Sequence, residues 1–305
     1  METKTDSEKL RRHEIAGRVK IVNGHGGLPL VKINTPWSTA EIYLLGAHVA
    51  GFQKNGEPPL LFMSAKSFFA DGKPIRGGVP ICFPWFGPRG SEPAHGLARI
   101  LAWELAETSA APDGRVTVRL RLPEESLKPE WSVLKTEFVL TVTDTLTMEL
   151  IATNASPDKT LAVENCLHTY FHVADIGAVT LTGLEAAPFD DFAFGAGGAR
   201  RAADATALRI TQETNRVYPD NISTVGIHDE KLNRTICVKK SNSQSTVVWN
   251  PWTTQKMPED FDQAEHRQMV CVESGNVKQN KLSLTPGKMA ALKVVLASMP
   301  LRLRR

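Results

Sequence analysis

The most regular feature of the chain is an alternation of apolar and polar residues. Apolar side chains occupy every second position of residues 116–122, and the same pattern runs through residues 138–150 with a break at 143–145. Successive side chains of a β-strand point to opposite faces of a sheet. The alternation therefore predicts strands with one buried face and one face in contact with solvent.

Shorter apolar segments extend this pattern along most of the chain. They predict further strands at residues 19–22, 31–33, 103–108, 179–181, 246–249, 270–273 and 290–296. The dipeptide Asp113-Gly114 lies between two predicted strands and is typical of a hairpin turn. Short helical turns are predicted at residues 64–69, 124–127 and 262–269. Many antiparallel strands without long intervening helices predict an all-β sandwich or barrel. Because no linker or repeat is found, we expect one domain, residues 1–305.

Composition and charge limit the classes of protein to which this chain can belong. Apolar residues make up 42% of the chain, charged residues make up 23%, and the net charge is only +3. The basic residues are spread out, apart from a terminal group of Arg302, Arg304 and Arg305. Such a group could contact nucleic acid or anionic lipid, but a solvated tail is the more common case. We therefore expect no nucleic-acid partner.

The cysteines and the amino terminus indicate the cellular compartment. Cys82, Cys166, Cys237 and Cys271 are far apart, without the spacing of a metal site, and are typical of buried thiols in a reducing compartment. The first twelve residues are charged and lack the apolar region of a signal peptide. No apolar run reaches the 18 residues of a membrane span. A soluble, cytoplasmic protein without membrane association is expected.

Three segments interrupt the strand pattern with Gly, Pro, Arg and His. In the first, residues 75–99, Arg76 and Arg99 enclose a glycine- and proline-rich loop. A guanidinium presents a planar fork of donors that matches phosphate, and adjacent glycines allow a ligand to approach the backbone. The segment therefore indicates a sugar-phosphate site, although a stiffened loop with surface ion pairs would have the same composition.

The other two segments contain a histidine pair and a glutamate. His168 and His172 share one face of a strand, but no third metal ligand follows at a characteristic spacing, and a buried structural histidine is an alternative. Glu273 ends an apolar strand, so it lies at the mouth of the strand or in a polar pocket. An acid in a dry pocket beside a histidine is suited to general acid–base catalysis.

Taken together, these segments resemble the aldose 1-epimerase superfamily, in particular its hexose-6-phosphate mutarotase branch. The resemblance covers about residues 25–297 and depends on six motifs in this order: Arg76-Gly77-Gly78-x-Pro80, Pro84-Trp85-Phe86-Gly87, His95-Gly96-x-Ala98-Arg99, His168-Thr169-Tyr170-Phe171, Trp249-Asn250-Pro251-Trp252 and Cys271-Val272-Glu273. It implies a single large antiparallel β-sandwich. It also implies a small-molecule hexose 6-phosphate as substrate, a monomer, and no cofactor or metal.

The resemblance also implies the role of each site residue. His168 is the expected general acid on the ring oxygen, Glu273 is the expected base on the anomeric hydroxyl, and His95 orients the sugar. His168 is expected to start protonated and Glu273 ionised, with a bell-shaped pH profile that belongs to the pair. The implied substrate-binding residues are Arg76, Arg99, Asn215 and Trp249, and the two arginines are the phosphate ligands.

Two departures from the branch concern sugar preference. Ala94 stands where glutamine is frequent, and Asn215 stands where aspartate is usual. Three other functions remain open at this point: a mutarotase of unphosphorylated aldoses, a non-catalytic carbohydrate-binding protein with the same fold, and a cupin-like metal enzyme.

Overall fold

The computed structural model describes residues 4–195 and 197–301. The terminal group Arg302, Arg304 and Arg305 lies outside the described residues. Within them, β-strands dominate. One α-helix, α1 (Lys4–Arg11), precedes the first strand, and short 3₁₀ helices occur at His25–Gly27, Ala98–Ile100, Glu124–Ser126, Ile176–Ala178, Ala193–Gly195, Gln263–Gln268 and Lys278–Asn280.

The strands follow one another along the chain with few interruptions. In chain order they are β1 (Val19–Asn23), β2 (Pro29–Asn34), β3 (Ser38–Tyr43), β4 (His48–Lys54), β5 (Ile81–Cys82), β6 (Glu104–Ala110), β7 (Val116–Leu122), β8 (Leu134–Val142), β9 (Leu146–Asn154), β10 (Leu161–Val163), β11 (Asn165–Leu167), β12 (Tyr170–His172), β13 (Val179–Thr182), β14 (Phe189–Asp191), β15 (Ala199–Arg201), β16 (Leu208–Arg209), β17 (Thr214–Tyr218), β18 (Val225–Asp229), β19 (Arg234–Ser241), β20 (Ser245–Asn250), β21 (Met269–Asn276), β22 (Leu282–Leu284) and β23 (Met289–Pro300).

Two large antiparallel sheets form the body of the protein. The nine-stranded sheet has the order β16-β13-β18-β19-β23-β9-β8-β7-β6. The eight-stranded sheet has the order β15-β14-β17-β20-β21-β11-β5, and β12 also pairs with β21. Buried side chains of both sheets, such as Leu140 and Val272, belong to one apolar cluster. The predicted β-sandwich is therefore confirmed. A four-stranded sheet (β1–β4) and the pair β10–β22 complete the described part.

The alternation in the sequence is reproduced in the strands. Val116, Val118, Leu120 and Leu122 of β7 are all buried, and the residues between them are more exposed. The strands β6 and β7 pair antiparallel, as the dipeptide Asp113-Gly114 predicts. Gly114 has φ of 91°, which favours glycine at the turn.

The remaining strand predictions are confirmed, and the predicted helical turns are only partly confirmed. The segments 124–127 and 262–269 contain 3₁₀ helices, the second with a capping box formed by Asp262 and Glu265. The segment 64–69 forms one hydrogen-bonded turn, in which Ser67 N donates to Ser64 O at 3.1 Å, but it does not continue as a helix. Other polar groups of this segment bond to distant parts of the chain instead. Ser64 Oγ and Ala65 N both donate to the Glu265 carboxylate.

The strands that were not predicted are β3, β4, β5, β10, β11, β14 to β19 and β22, and helix α1 was not predicted either. The four cysteines are free thiols, as expected. No helix among residues 4–195 and 197–301 combines the length and apolar character needed to cross a bilayer.

Candidate active site

A cavity of about 280 Å³ opens on one face of the eight-stranded sheet. On β21, Glu273 lies on the same face as Cys271, and on β20 the residue opposite Cys271 is Trp249. Of the seven residues expected from the sequence, Arg99 does not line this cavity. The other six do: Arg76, His95, His168, Asn215, Trp249 and Glu273. A larger cavity of about 770 Å³ lies along the four-stranded sheet and contains none of these residues.

His168 and Glu273 are in direct contact. His168 Nε2 lies 3.2 Å from Glu273 Oε1, and both side chains are buried. The backbone N–H of His168 donates to Pro80 O at 3.0 Å, and its ring stacks on Tyr170 with a centroid distance of 4.9 Å. These contacts hold the imidazole against the carboxylate. The sequence alone could not show that two residues so far apart in the chain meet.

Burial shifts the pKa values of the two residues in opposite directions. Burial raises the pKa of Glu273 well above its usual value. Burial, reinforced by the neighbouring imidazole of His95 and by the charges of Arg99 and Arg76, lowers the pKa of His168 well below its usual value. Both pKa shifts have the same cause, because burial makes the charged form of each group less favourable than the neutral form. Together they favour a state in which the pair holds one proton and carries no net charge.

His95 is held in an unusual backbone conformation. Its φ is +65°, and two hydrogen bonds to Gly87 stabilise it: His95 N donates to Gly87 O at 2.9 Å, and Gly87 N donates to His95 Nδ1 at 3.3 Å. Because Nδ1 accepts a hydrogen bond, the proton of the neutral ring is assigned to Nε2. Burial and the nearby cations lower the pKa of His95 to about 3, so the ring is neutral. His95 is therefore suited to donate a hydrogen bond rather than a charge.

The glycine after His95 explains the shape of this loop. Gly96 has φ of +79°, and a Cβ at this position would lie 2.1 Å from Phe83 O. Only glycine fits there without a shift of the backbone. The motif His95-Gly96 thus places the imidazole at the cavity by a close approach of two chain segments.

Arg76 lines the cavity, but its guanidinium already has partners. Nε and Nη2 donate to the two carboxylate oxygens of Asp260, each at 3.2 Å, and Nη1 donates to Tyr170 Oη at 3.3 Å. Burial opposes the charge, but Tyr170 and Asp260 outweigh it and raise the pKa of Arg76. Asp260 is buried in a loop with no recognisable motif, so sequence reasoning missed it.

Arg99 lies behind the loop that carries His95. Its Nη2 donates to Ala94 O at 2.7 Å, and burial lowers its pKa. Because the charge of Arg99 contributes to the lowered pKa values of both His95 and His168, it acts on the site from outside the cavity.

Lys278 lines the cavity and was not singled out from the sequence. Its backbone N–H donates to Glu164 Oε1 at 2.5 Å, and Glu164 Oε2 accepts from Phe86 N at 3.0 Å. The Nζ lies 5.4 Å from the centroid of the Phe192 ring. Among the ion pairs of the described residues, none includes Lys278. Lys278 follows shortly after the segment that contains Glu273, and this position is the only feature of the sequence that could have indicated Lys278.

Asn215 and Trp249 form the opposite wall. They are register partners on β17 and β20, and Trp249 Nε1 donates to Gln255 Oε1 at 3.0 Å. The indole face and the Asn215 amide thus present one apolar and one polar surface to the cavity.

One group of described residues has the donor set of a metal site. The nearest ligand atoms of His168, Cys271 and Glu273 lie within 4.8 Å of one another. Nitrogen, sulfur and carboxylate ligands suit Zn²⁺. His172 is not part of this group and does not line the cavity. The expectation that the activity needs no metal stays a prediction.

The fold and the site define a class of protein: an all-β sandwich with a buried histidine–glutamate pair in a sugar-sized cavity. The family described as aldose 1-epimerase matches residues 29–297. The chain belongs to the aldose 1-epimerase family, and it is thereby a mutarotase-type isomerase.

Individual relatives agree with this class. A candidate glucose-6-phosphate 1-epimerase of Cenchrus ciliaris is 32% identical over 271 residues, which are 86% of this chain and 82% of the relative. Another of Escherichia coli is 32% identical over 265 residues, 83% of this chain and 85% of the relative. The crystal structure of a candidate mutarotase, YeaD, of Salmonella typhimurium superposes with a TM-score of 0.85 at 28% identity, covering 96% of this chain and 99% of that one.

Proposed function

We propose that the protein interconverts the α and β anomers of a hexose 6-phosphate, with glucose 6-phosphate as the principal substrate. The observation that carries the proposal is the 3.2 Å contact between His168 Nε2 and Glu273 Oε1 in a cavity that also contains Arg76 and Lys278. The names of the relatives from Cenchrus ciliaris and Escherichia coli support the phosphorylated substrate.

The geometry fits the two oxygens that must exchange protons. The anomeric hydroxyl oxygen and the ring oxygen are both bonded to C1, so the base and the acid must lie close together. The single proton of the pair first passes from Glu273 to His168 across their 3.2 Å contact, which leaves Glu273 ionised. Glu273 then accepts the proton of the anomeric hydroxyl, and His168 donates its proton to the ring oxygen. The bond between C1 and the ring oxygen breaks, and a C1 aldehyde forms. Each such proton transfer contributes about 10²–10⁴ in rate.

Closure of the ring reverses these roles. After rotation about the C1–C2 bond, His168 takes the proton back from the former ring hydroxyl, which attacks C1, while Glu273 returns its proton to the aldehyde oxygen. The one-proton state of the pair is the same at the start and at the end. The neutral Nε2–H of His95 is placed to donate to a sugar oxygen without adding a charge beside His168.

Recognition of the phosphate is assigned to Lys278 and Arg76. Lys278 has no carboxylate partner among the described ion pairs, so it offers a full positive charge to a dianion. Arg76 shares its charge with Asp260, which weakens its pull on a phosphate. Arg99 does not line the cavity, and we assign it to support of the His95 loop instead.

A mutarotase of unphosphorylated aldoses is the second candidate function. The pairing of Arg76 with Asp260 favours it, because a neutralised arginine is a weaker phosphate ligand. Magnetisation-transfer NMR separates the two: anomer exchange is measured on glucose 6-phosphate, glucose and galactose in parallel. Acceleration of the phosphate ester well beyond the free sugars is the expected result. Acceleration of the free sugars alone would reject the phosphate site, and acceleration of none would leave a binding protein.

The oligomeric state and the compartment stay predictions. A monomer in the cytoplasm, with a sugar phosphate as its only small-molecule partner, is what we expect.

A further inference from the structure

The second carboxylate oxygen of Glu273 has its own partner. Oε1 faces His168, and Oε2 accepts from the thiol of Cys166 at 3.7 Å. Cys166 lies on β11, next to β21, and is fully buried. The proton transfers described above do not involve a thiol, so they leave this contact unexplained.

A glycine makes room for the thiol. Cys166 is the register partner of Gly275 on β21, two residues after Glu273 on the same face. A Cβ at Gly275 would lie 2.8 Å from Cys166 Cβ and 2.4 Å from Asn165 O. Any larger residue at position 275 would separate the two strands at this point. The close approach of β11 and β21 is therefore what brings the thiol to the carboxylate.

The thiol is a donor in its resting state. Burial, reinforced by the charge of Glu273, raises the pKa of Cys166 well above its usual value, so the proton stays on sulfur. A thiol is a weak donor. It therefore restrains Oε2 while leaving the carboxylate basic enough to take a proton from a sugar hydroxyl.

The other ionisable groups around Glu273 are few and come from four strands, one 3₁₀ helix and the turn after β11. Each either touches the carboxylate or interacts with it electrostatically: His168, Cys166, Cys271, Cys82, Tyr170 and Arg99. Of these, Cys166 is the group that touches Oε2, which is why it offers a way to alter the base without altering the acid.

We propose that Cys166 is a positioning residue for the base: its thiol donates to Glu273 Oε2 and thereby holds Oε1 toward His168 and the anomeric hydroxyl. This inference rests on the proposed function.

The test compares Cys166→Ala and Cys166→Ser with the unaltered protein. The pH dependence of kcat/KM for anomer exchange of glucose 6-phosphate is measured by NMR, with the spontaneous rate subtracted. The alkaline limb is the informative one, because the second ionisation of the phosphate, with a pKa of about 6, falls on the acid side. The alkaline limb reports loss of the last proton of the histidine–glutamate pair, which leaves Glu273 as a free carboxylate.

We expect Cys166→Ala to lower kcat/KM by about tenfold, a loss in keeping with a hydrogen bond to a charged group. Its alkaline limb should move to higher pH, because a carboxylate without its donor binds a proton more tightly. Cys166→Ser restores a donor and should move the limb back toward lower pH. Cys237→Ser is the matched control, since Cys237 lies on β19 in the other sheet, and its profile should equal that of the unaltered protein.

An unshifted alkaline limb in Cys166→Ala would overturn the inference, whatever the loss of rate. Equal losses in the alanine and serine variants without a shift would indicate packing alone. Absence of anomer exchange in the unaltered protein would instead reject the proposed function, and this inference with it. Melting temperatures of all variants separate loss of fold from loss of positioning.

Discussion

Glu273 Oε1 lies 3.2 Å from His168 Nε2, and both groups are shielded from solvent. The contact joins strand β21 to the turn after β11, two segments that are neighbours only because their strands pair. A carboxylate and an imidazole so close can exchange protons with two oxygens bonded to one carbon. This relationship is the basis of the first two predictions.

Removal of either member of the pair should abolish catalysis. We expect His168→Gln and Glu273→Gln each to reduce kcat by about 10²–10⁴. Glutamine keeps a polar side chain of similar length, so circular dichroism and melting temperature should show an intact fold. His172→Gln is the matched control, because His172 lies outside the cavity and should leave the rate unchanged. A substantially active variant at 168 or 273 would rule out the assigned roles.

The dependence of kcat on pH should be bell-shaped and should belong to the pair. The pKa of His168 is lowered, so the pair gains its second, inhibiting proton only at a pH below the ordinary histidine value of 6.5. The pKa of Glu273 is raised, so the pair loses its last proton only above the ordinary carboxyl value of 4.5. Measurement of kcat rather than kcat/KM avoids ionisation of the free phosphate ester. An acid limb at or above pH 6.5 would contradict the direction of the His168 shift.

Lys278 should determine the preference for phosphorylated sugars. We expect Lys278→Met to raise KM for glucose 6-phosphate by about tenfold or more, since it removes one charge-assisted contact to the phosphate. The rate on free glucose should not change. Lys281→Met is the control, because Lys281 is close in sequence but does not line the cavity. Equal losses on both sugars would argue against a phosphate role for Lys278.

Substitution of Arg76 should have a mixed effect. Arg76→Ala removes a cation from the cavity and also leaves the buried Asp260 without its partner, which is destabilising by about 3–5 kcal/mol. We expect a lower melting temperature together with a greater loss on phosphosugars than on free sugars. The double variant Arg76→Ala with Asp260→Asn should recover stability without recovering the phosphate preference. If the double variant regained the preference, Arg76 would be structural.

Arg99 should affect all substrates alike. Arg99→Met removes the hydrogen bond to Ala94 O that supports the His95 loop. We therefore expect kcat/KM to fall by a similar factor, about tenfold, on glucose 6-phosphate and on free glucose, as for loss of a hydrogen bond from a charged group. Parallel NMR exchange measurements on the two sugars test this. A loss confined to the phosphate ester would instead support a direct phosphate contact.

The period-two pattern was sufficient to predict the sandwich. In β7, β8 and β9 every second residue is buried, because a sheet that packs on one face only imposes that period. These buried residues are apolar except Thr136 and Asn154. Strand β4 was missed because its buried positions do not alternate regularly. Strand β3 was missed because its buried face begins with the polar residue Ser38 and its alternation of burial ends at Tyr43. The sequence also indicated six residues of the cavity: the chemistry of the unusual segments identified Arg76, His168 and Glu273, and the family resemblance added His95, Asn215 and Trp249.

The tertiary structure alone decided how these residues combine. Asp260 accepts two hydrogen bonds from Arg76, Ala94 accepts one from Arg99, and Lys278 reaches the cavity from the turn after β21. The contact between Arg76 and Asp260 joins distant parts of the chain, and no local pattern encodes any of these contacts. Protonation was decided in the same way: the sequence predicted an ionised glutamate beside a protonated histidine. Burial raises the pKa of Glu273 and lowers that of His168, which favours a neutral carboxyl beside a neutral imidazole, because the cost of charge depends on the depth to which the fold buries each group.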